Sequence, residues 1–243
     1  MSYSPILALA TAAFEILVAC WALVTLRGEE RGRVVWTTSV ILLLLAGYQL
    51  AEVAICSDVA AAGFLPRLAF VIVTWLPPLG LLLIAHLHRP ESRSLHGSCY
   101  GFLAAAAGIV VWILLDGSFA TASVCNAVYA RYTHAMPRFL IYSTFYWVGL
   151  AGMILFSGYG AARSRDQRRK RQLKLLFVGT LAFVVPSIAL SWFIPPARGA
   201  LPSILCHFAL LLAIALGRLL HIERKAMQSC PAVESTGVEG LPT

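Results

Sequence analysis

Apolar residues in this chain fall into seven long runs separated by short polar segments. The runs cover about 5–26, 34–56, 65–87, 99–115, 139–161, 173–194 and 201–220. An α-helix needs about 20 apolar residues to cross the roughly 30 Å hydrocarbon core of a bilayer; every run meets that length, the fourth only at the lower limit. The pattern predicts an all-α fold: a polytopic membrane protein, a seven-transmembrane-helix bundle over about residues 1–225, with a disordered tail at 226–243.

The polar segments between the runs predict orientation. Arg27, Arg31 and Arg33 follow the first run, and Arg89 and Arg93 follow the third. The segment after the fifth carries Arg163, Arg165, Arg168, Arg169, Lys170, Arg171 and Lys174, and Arg218, Arg224 and Lys225 close the seventh. Those segments alternate to one side and hold 15 of the 19 Lys and Arg; the other side holds Arg67, Arg131, Arg138 and Arg198. The richer side is expected in the cytoplasm, which puts the N-terminus outside and the C-terminus inside. The basic run 163–174 is expected to set topology and touch anionic lipid headgroups, with docking of a cytoplasmic protein partner as the alternative.

Composition agrees. Of 243 residues, 59% are hydrophobic and 12% charged, with a mean hydropathy of +0.79; soluble domains lie near about 45–50% and 25%. Little length remains for a soluble catalytic domain. The net charge of +8 is spread over inter-helix segments rather than gathered in a recognition motif, which argues against nucleic acid as a partner. The N-terminus lacks a basic region and a cleavage site, so the first run reads as a retained helix rather than a signal peptide.

Ionisable groups inside apolar spans are costly and mark candidate sites. Three stand out: Glu15 in the first run, Glu52 in the second and His207 in the seventh. Counting from the helix ends places Glu52 and His207 at one level in the outer half, and Glu15 near the midplane. Tyr48, Gln49, Tyr142, Tyr146, Ser187 and Ser191 fall at similar depth. Tyr48 with Glu52, and Tyr142 with Tyr146, are four residues apart and share a helix face. Together they predict a polar, aromatic-lined pocket open to the outside for an apolar or amphiphilic ligand. The plainer alternative is that these groups only bond neighbouring helices and specify packing.

Segment 116–138, with Cys125, Tyr129, Tyr132 and His134, is longer than a turn requires and is expected to fold over the outer mouth. Cys56 ends the second run on the same side, so Cys56 and Cys125 are candidates for a disulfide if that side is oxidising. Cys20 and Cys206 read as packing residues; Cys99 and Cys230 fall on the reducing side. Pro77–Pro78 and Pro186 each remove a helix hydrogen bond and predict irregularity in the third and sixth spans. The chain contains no Gly-rich phosphate loop, His-Glu-x-x-His or Gly-x-Ser-x-Gly motif. No lysine is present in the seventh run, against a retinal Schiff base. No catalytic residue, metal site or cofactor is assigned.

Three stretches resemble the seven-helix N-terminal sensor region of some bacterial histidine kinases and diguanylate cyclases. They are residues 42–52, apolar and ending in Glu52; residues 75–79, Trp-Leu-Pro-Pro-Leu; and residues 168–175, basic and leading to Pro186. Residues 48–52 together with 201–207 are also similar to small stand-alone seven-helix bacterial proteins. The resemblance implies a sensory or ligand-binding module of the bacterial inner membrane. With only a tail after Lys225, output is expected to pass through a partner protein. An accessory subunit of a larger membrane complex is the alternative function, and an intramembrane enzyme or transporter a further one.

Overall fold

The computed structural model describes residues 4–26, 32–57, 64–88, 93–125, 130–134, 136–193 and 201–228. Arg27, Arg31, Arg89, Tyr129, Arg198, Cys230 and the expected tail beyond Gln228 lie outside them. Ala226–Gln228, counted with that tail above, are instead the last residues of a helix.

The helices are α1 (Ile6–Thr25), α2 (Gly32–Cys56), α3 (Leu65–Thr74), α4 (Leu76–His88), α5 (Arg93–Leu115), α6 (Arg138–Arg163), α7 (Gln167–Phe193) and α8 (Leu201–Gln228). α3 and α4 form one span, so seven spans are long and apolar enough to cross a membrane. Large apolar side chains cover the outside: Leu17 is 70% exposed, Leu155 69% and Trp192 74%. Such a surface suits lipid as solvent and fits a multi-pass membrane protein.

Several helices outrun their apolar cores. α5 begins six residues before the apolar run, at Arg93. α7 begins at Gln167, so residues 168–174 form its first turns rather than a loop. α8 runs eight residues past Leu220. Hydropathy locates the part of a helix that lipid covers, whereas the backbone hydrogen-bond ladder continues into the polar interface.

The irregularity expected at Pro77–Pro78 is a one-residue break at Trp75, between α3 and α4. Neither proline can donate a backbone hydrogen bond, and the break falls just before them. Pro186 differs: α7 continues through it, with Ser187 Oγ donating to the Phe183 carbonyl at 2.7 Å.

The all-α expectation needs one correction. Segment 116–138 holds an antiparallel hairpin, β1 (Ala120–Cys125) and β2 (Ala130–His134), with a register irregularity between Ala120 and Ala122. Residues 120–125, Ala-Thr-Ala-Ser-Val-Cys, lie outside the apolar runs and are partly β-branched, so they favour a strand over a helix. The hairpin packs on the bundle, burying Phe119, Ala120, Ala130 and Tyr132.

α2, α4 and α8 supply much of the buried interior, while α5 is peripheral, with only Cys99, Ala106 and Ile113 buried. α7 packs most extensively on α8, and α1 on α2. A Cβ added at Gly179 would lie 2.6 Å from the Ala215 Cβ. That glycine is what lets α7 and α8 approach so closely.

Candidate functional site

Glu52 is fully buried near the end of α2. Its Oε1 accepts a 2.7 Å hydrogen bond from Ser203 Oγ in the first turn of α8. Ser203 Oγ in turn accepts the backbone N–H of Ala130, the first residue of β2, at 3.0 Å. Three elements distant in sequence therefore meet at one buried carboxyl. One turn deeper, Gln49 Nε2 donates to the Cys206 carbonyl at 2.5 Å.

These two contacts set the register of antiparallel helices α2 and α8. Three residues back along α2 corresponds to three residues on along α8. The residue level with Glu52 is thus Ser203, and His207 lies one turn below it. The expectation that Glu52 and His207 share a level is corrected by about 6 Å, the rise of four residues. Small errors at two helix ends add when two helices are placed against each other. His207 is half-buried and its Nδ1 lies 2.8 Å from the Ser203 carbonyl. A carbonyl only accepts, so Nδ1 carries the proton of that bond.

The tyrosines form the second part of the site. The Tyr48 and Tyr132 hydroxyls are 3.2 Å apart, which joins α2 to β2 a second time. Phe70 sits at the centre of an aromatic cluster, with ring centroids 5.4 Å from Phe119, 5.2 Å from Tyr132 and 5.3 Å from Tyr142. All three meet it edge-on, the arrangement that ring quadrupoles favour. Tyr142 and Tyr146 stack at 6.0 Å, and the Tyr142 hydroxyl reaches Thr74.

This region is closed. Glu52 is 0% exposed, Tyr48 1%, Tyr142 3% and Tyr146 8%. Glu52 and Tyr48 keep almost no surface that water can touch, so at these two residues the pocket expected here is closed. The hairpin supplies Phe119 and Tyr132, which take up the room. Ser191 is not brought into the cluster: its hydroxyl donates to the Ser187 carbonyl of its own helix at 2.8 Å, an ordinary use of a helical serine.

Glu15 is also fully buried, and neither carboxyl oxygen has a hydrogen-bond partner among the described residues. It lies within electrostatic reach of Cys206, as does Glu52. An acid at the centre of a membrane helix costs about 2.5–3.5 kcal/mol on insertion scales when charged. Glu15 therefore contributes nothing evident to folding.

A disulfide joins Cys56, at the end of α2, to Cys125, at the end of β1, with a Cα–Cα distance of 5.7 Å. It is the pair expected from the sequence. Cys206 is buried, but Cys20 is exposed on the bundle surface rather than packed inside. At the foot of the hairpin, Asp116 accepts from Ser118 Oγ at 2.6 Å and pairs with Arg138 at 2.8 Å. The Ser118 hydroxyl and backbone N–H, with Arg138, hold the Asp116 carboxyl below its ordinary range.

At the opposite end the basic run divides by role. Arg168, expected to face lipid or a partner, turns inward: Nη2 pairs with Glu223 on α8, which is 2% exposed. Glu223 also accepts from Gln172 Nε2 at 2.6 Å. Arg169 lies 3.7 Å from Asp166, and Arg163 covers the Tyr159 ring at 5.3 Å. Arg165, Lys170 and Arg171 are exposed.

Sequence reasoning passed over Ser203, Phe70, Gln172 and Glu223. Glu223 carried a signal, being the one acid among Arg218, His221, Arg224 and Lys225. His86 and His96 bring their rings to 5.1 Å. Among the described residues, however, no three His, Cys, Asp or Glu side chains gather to hold a metal. No protein-family model matches the chain, and neither does any curated protein.

Proposed function

We propose that this chain is a sensory or ligand-binding module of a cell inner membrane, with its hairpin end outside and its basic end in the cytoplasm. The orientation rests on the 15-to-4 division of Lys and Arg. The sensory reading rests on one observation above the others. A buried carboxyl, Glu52, is joined through Ser203 to the backbone of the hairpin. Whatever moves β2 changes the surroundings of an acid inside the bundle, and the reverse.

The disulfide holds the end of β1 to α2, whereas β2 is held to the bundle by the Ser203 and Tyr48 contacts and by ring packing. An apolar or amphiphilic ligand enters by displacing β2 and takes the place of Tyr132 beside Tyr48, Phe70 and Tyr142. Helices α2 and α8 then carry the change to the basic end, where a partner protein receives it. The resemblance to bacterial sensor regions supports the same role. Thermal unfolding of the purified chain with a panel of amphiphiles tests the proposal. Stabilising compounds lose their effect in Glu52→Gln and Tyr48→Phe, and keep it in the surface variant Leu17→Ala. Equal stabilisation of wild type and Glu52→Gln by every active compound rejects the site.

A second reading, an accessory subunit of a membrane complex, is favoured by α5. Gly97, Gly101 and Gly108 have open space around them, and small residues spaced along an exposed membrane helix let another helix approach. Native electrophoresis after mild extraction decides: co-migration with other membrane proteins, lost in Gly101→Leu, supports a subunit, and a lone chain opposes it.

A further inference from the structure

Between α7 and α8 at the basic end lies a cleft of about 470 Å³, within the roughly 300–1,000 Å³ of small-molecule sites. α7 contributes Arg171, Lys174, Leu175 and Val178, and α8 contributes Arg218, His221 and Ile222. On each helix these residues recur at three- and four-residue spacing, so each set forms one face.

The cleft is amphiphilic in a definite order. Arg171 and Lys174 belong to the first turns of α7, nearest the basic end. Val178 lies two turns, about 10 Å, farther into the apolar part of α7. α8 runs the other way, so Arg218 is one turn deeper than His221, and its long stem can carry the guanidinium back toward the basic end. Nearby acids are engaged elsewhere: Glu223 with Arg168 and Gln172, and Asp166 with Arg169. Among the described residues, no carboxylate pairs with Arg171, Lys174 or Arg218. Three basic residues without a carboxylate partner among the described residues therefore border one cleft whose lining is mostly apolar.

We infer that this cleft binds an anionic phospholipid. The phosphate takes Arg171, Lys174 and Arg218, and one acyl chain lies along Leu175 and Val178. Basic clefts between membrane helices are suited to such headgroups. A purely acidic run such as poly-glutamate would satisfy the cations but carries no apolar group to lay against Val178. The inference does not depend on the sensory role; it requires only that the bundle sit in a bilayer.

Native mass spectrometry of the detergent-purified full chain tests it, with phosphatidylglycerol, phosphatidylcholine, inorganic phosphate and poly-glutamate as probes. Phosphatidylglycerol is expected to bind at least tenfold tighter than phosphatidylcholine. Lys174→Gln and Arg218→Gln each weaken it about fivefold, from about 1 kcal/mol per basic residue near a membrane surface. The double variant Arg163→Gln/Arg165→Gln, basic but outside the cleft, leaves binding unchanged. Single variants keep the test valid should a triple variant fail to fold. Inorganic phosphate or poly-glutamate binding as tightly as phosphatidylglycerol overturns the lipid assignment. Equal losses from the control pair and the cleft variants overturn the site, leaving only general surface charge. Failure of the chain to insert into phosphatidylcholine vesicles refutes the membrane reading itself and is seen separately.

Discussion

The two ends of the bundle are held together by different physics. At the hairpin end the ties are a disulfide, a cluster of edge-to-face rings and hydrogen bonds that converge on Glu52. At the basic end they centre on an ion pair: Arg168 and Gln172 on α7 clasp Glu223 on α8, next to a cleft bordered by Arg171, Lys174 and Arg218, which pair with no carboxylate among the described residues. The first end is closed around Glu52, Gln49 and Tyr48, which are buried. The second is open and most of its charges face outward. In a bundle whose helices share no hydrophobic driving force against lipid, the means of closure decide where change is possible. A hairpin anchored by one strand can move at the other. An ionic clasp holds helices in register while leaving cations free for an external anion.

The largest way to break this contrast is to cut the disulfide. Cys56 and Cys125 are 69 residues apart, and a loop of that size is worth about 2–4 kcal/mol. Cys56→Ser, or reduction of the wild type, is expected to lower thermal stability in detergent by that order. Exchange of backbone hydrogens should rise in residues 120–134 and stay unchanged around Glu223. A rise at both ends would show that they are not independent.

The reciprocal change is Glu223→Leu. Removing one partner of a buried ion pair costs about 3–5 kcal/mol. The Arg168 side chain is 30% exposed and can turn outward, so about 1–3 kcal/mol is expected, measured by the same unfolding assay. The loosening should appear between α7 and α8 at the basic end, with the hairpin undisturbed.

Much of this contrast was hidden in the sequence. The seven apolar runs and the Cys56–Cys125 pair were legible, because hydropathy acts over whole segments and Cys56 ends one of them. The hairpin was not, because its two short strands are stabilised by packing on Phe70 and Tyr48, which lie 62 and 84 positions from their contact Tyr132. Ser203 was passed over because serine is common in membrane helices; only the register between α2 and α8 reveals that this one meets Glu52. The inward turn of Arg168 was invisible for a similar reason: seven basic residues within 163–174 look alike until one of them faces an acid on another helix.

A smaller effect follows from Asp116. Its pKa is held below the ordinary value of 3.8 by Ser118 and Arg138. A lowered carboxyl contributes stability above its unfolded pKa and loses it as pH falls through the folded one. The foot of the hairpin should thus be equally protected at pH 7 and pH 5, and should loosen only below about pH 3.8. Asp116→Asn should abolish this dependence, as read by exchange of the Ser118 amide.

The central claim is that Glu52, inside the bundle, and β2, on its surface, are one mechanical unit joined at Ser203. Hydrogen exchange of the Ala130–His134 strand in wild type, Ser203→Ala and Glu52→Leu tests it most directly, with the disulfide intact. Both substitutions are predicted to raise exchange at Ala130 and its neighbours about tenfold, the equivalent of one lost hydrogen bond of about 1.4 kcal/mol. Residues 167–175 should be unaffected. Unchanged protection of β2 in both variants would contradict the account.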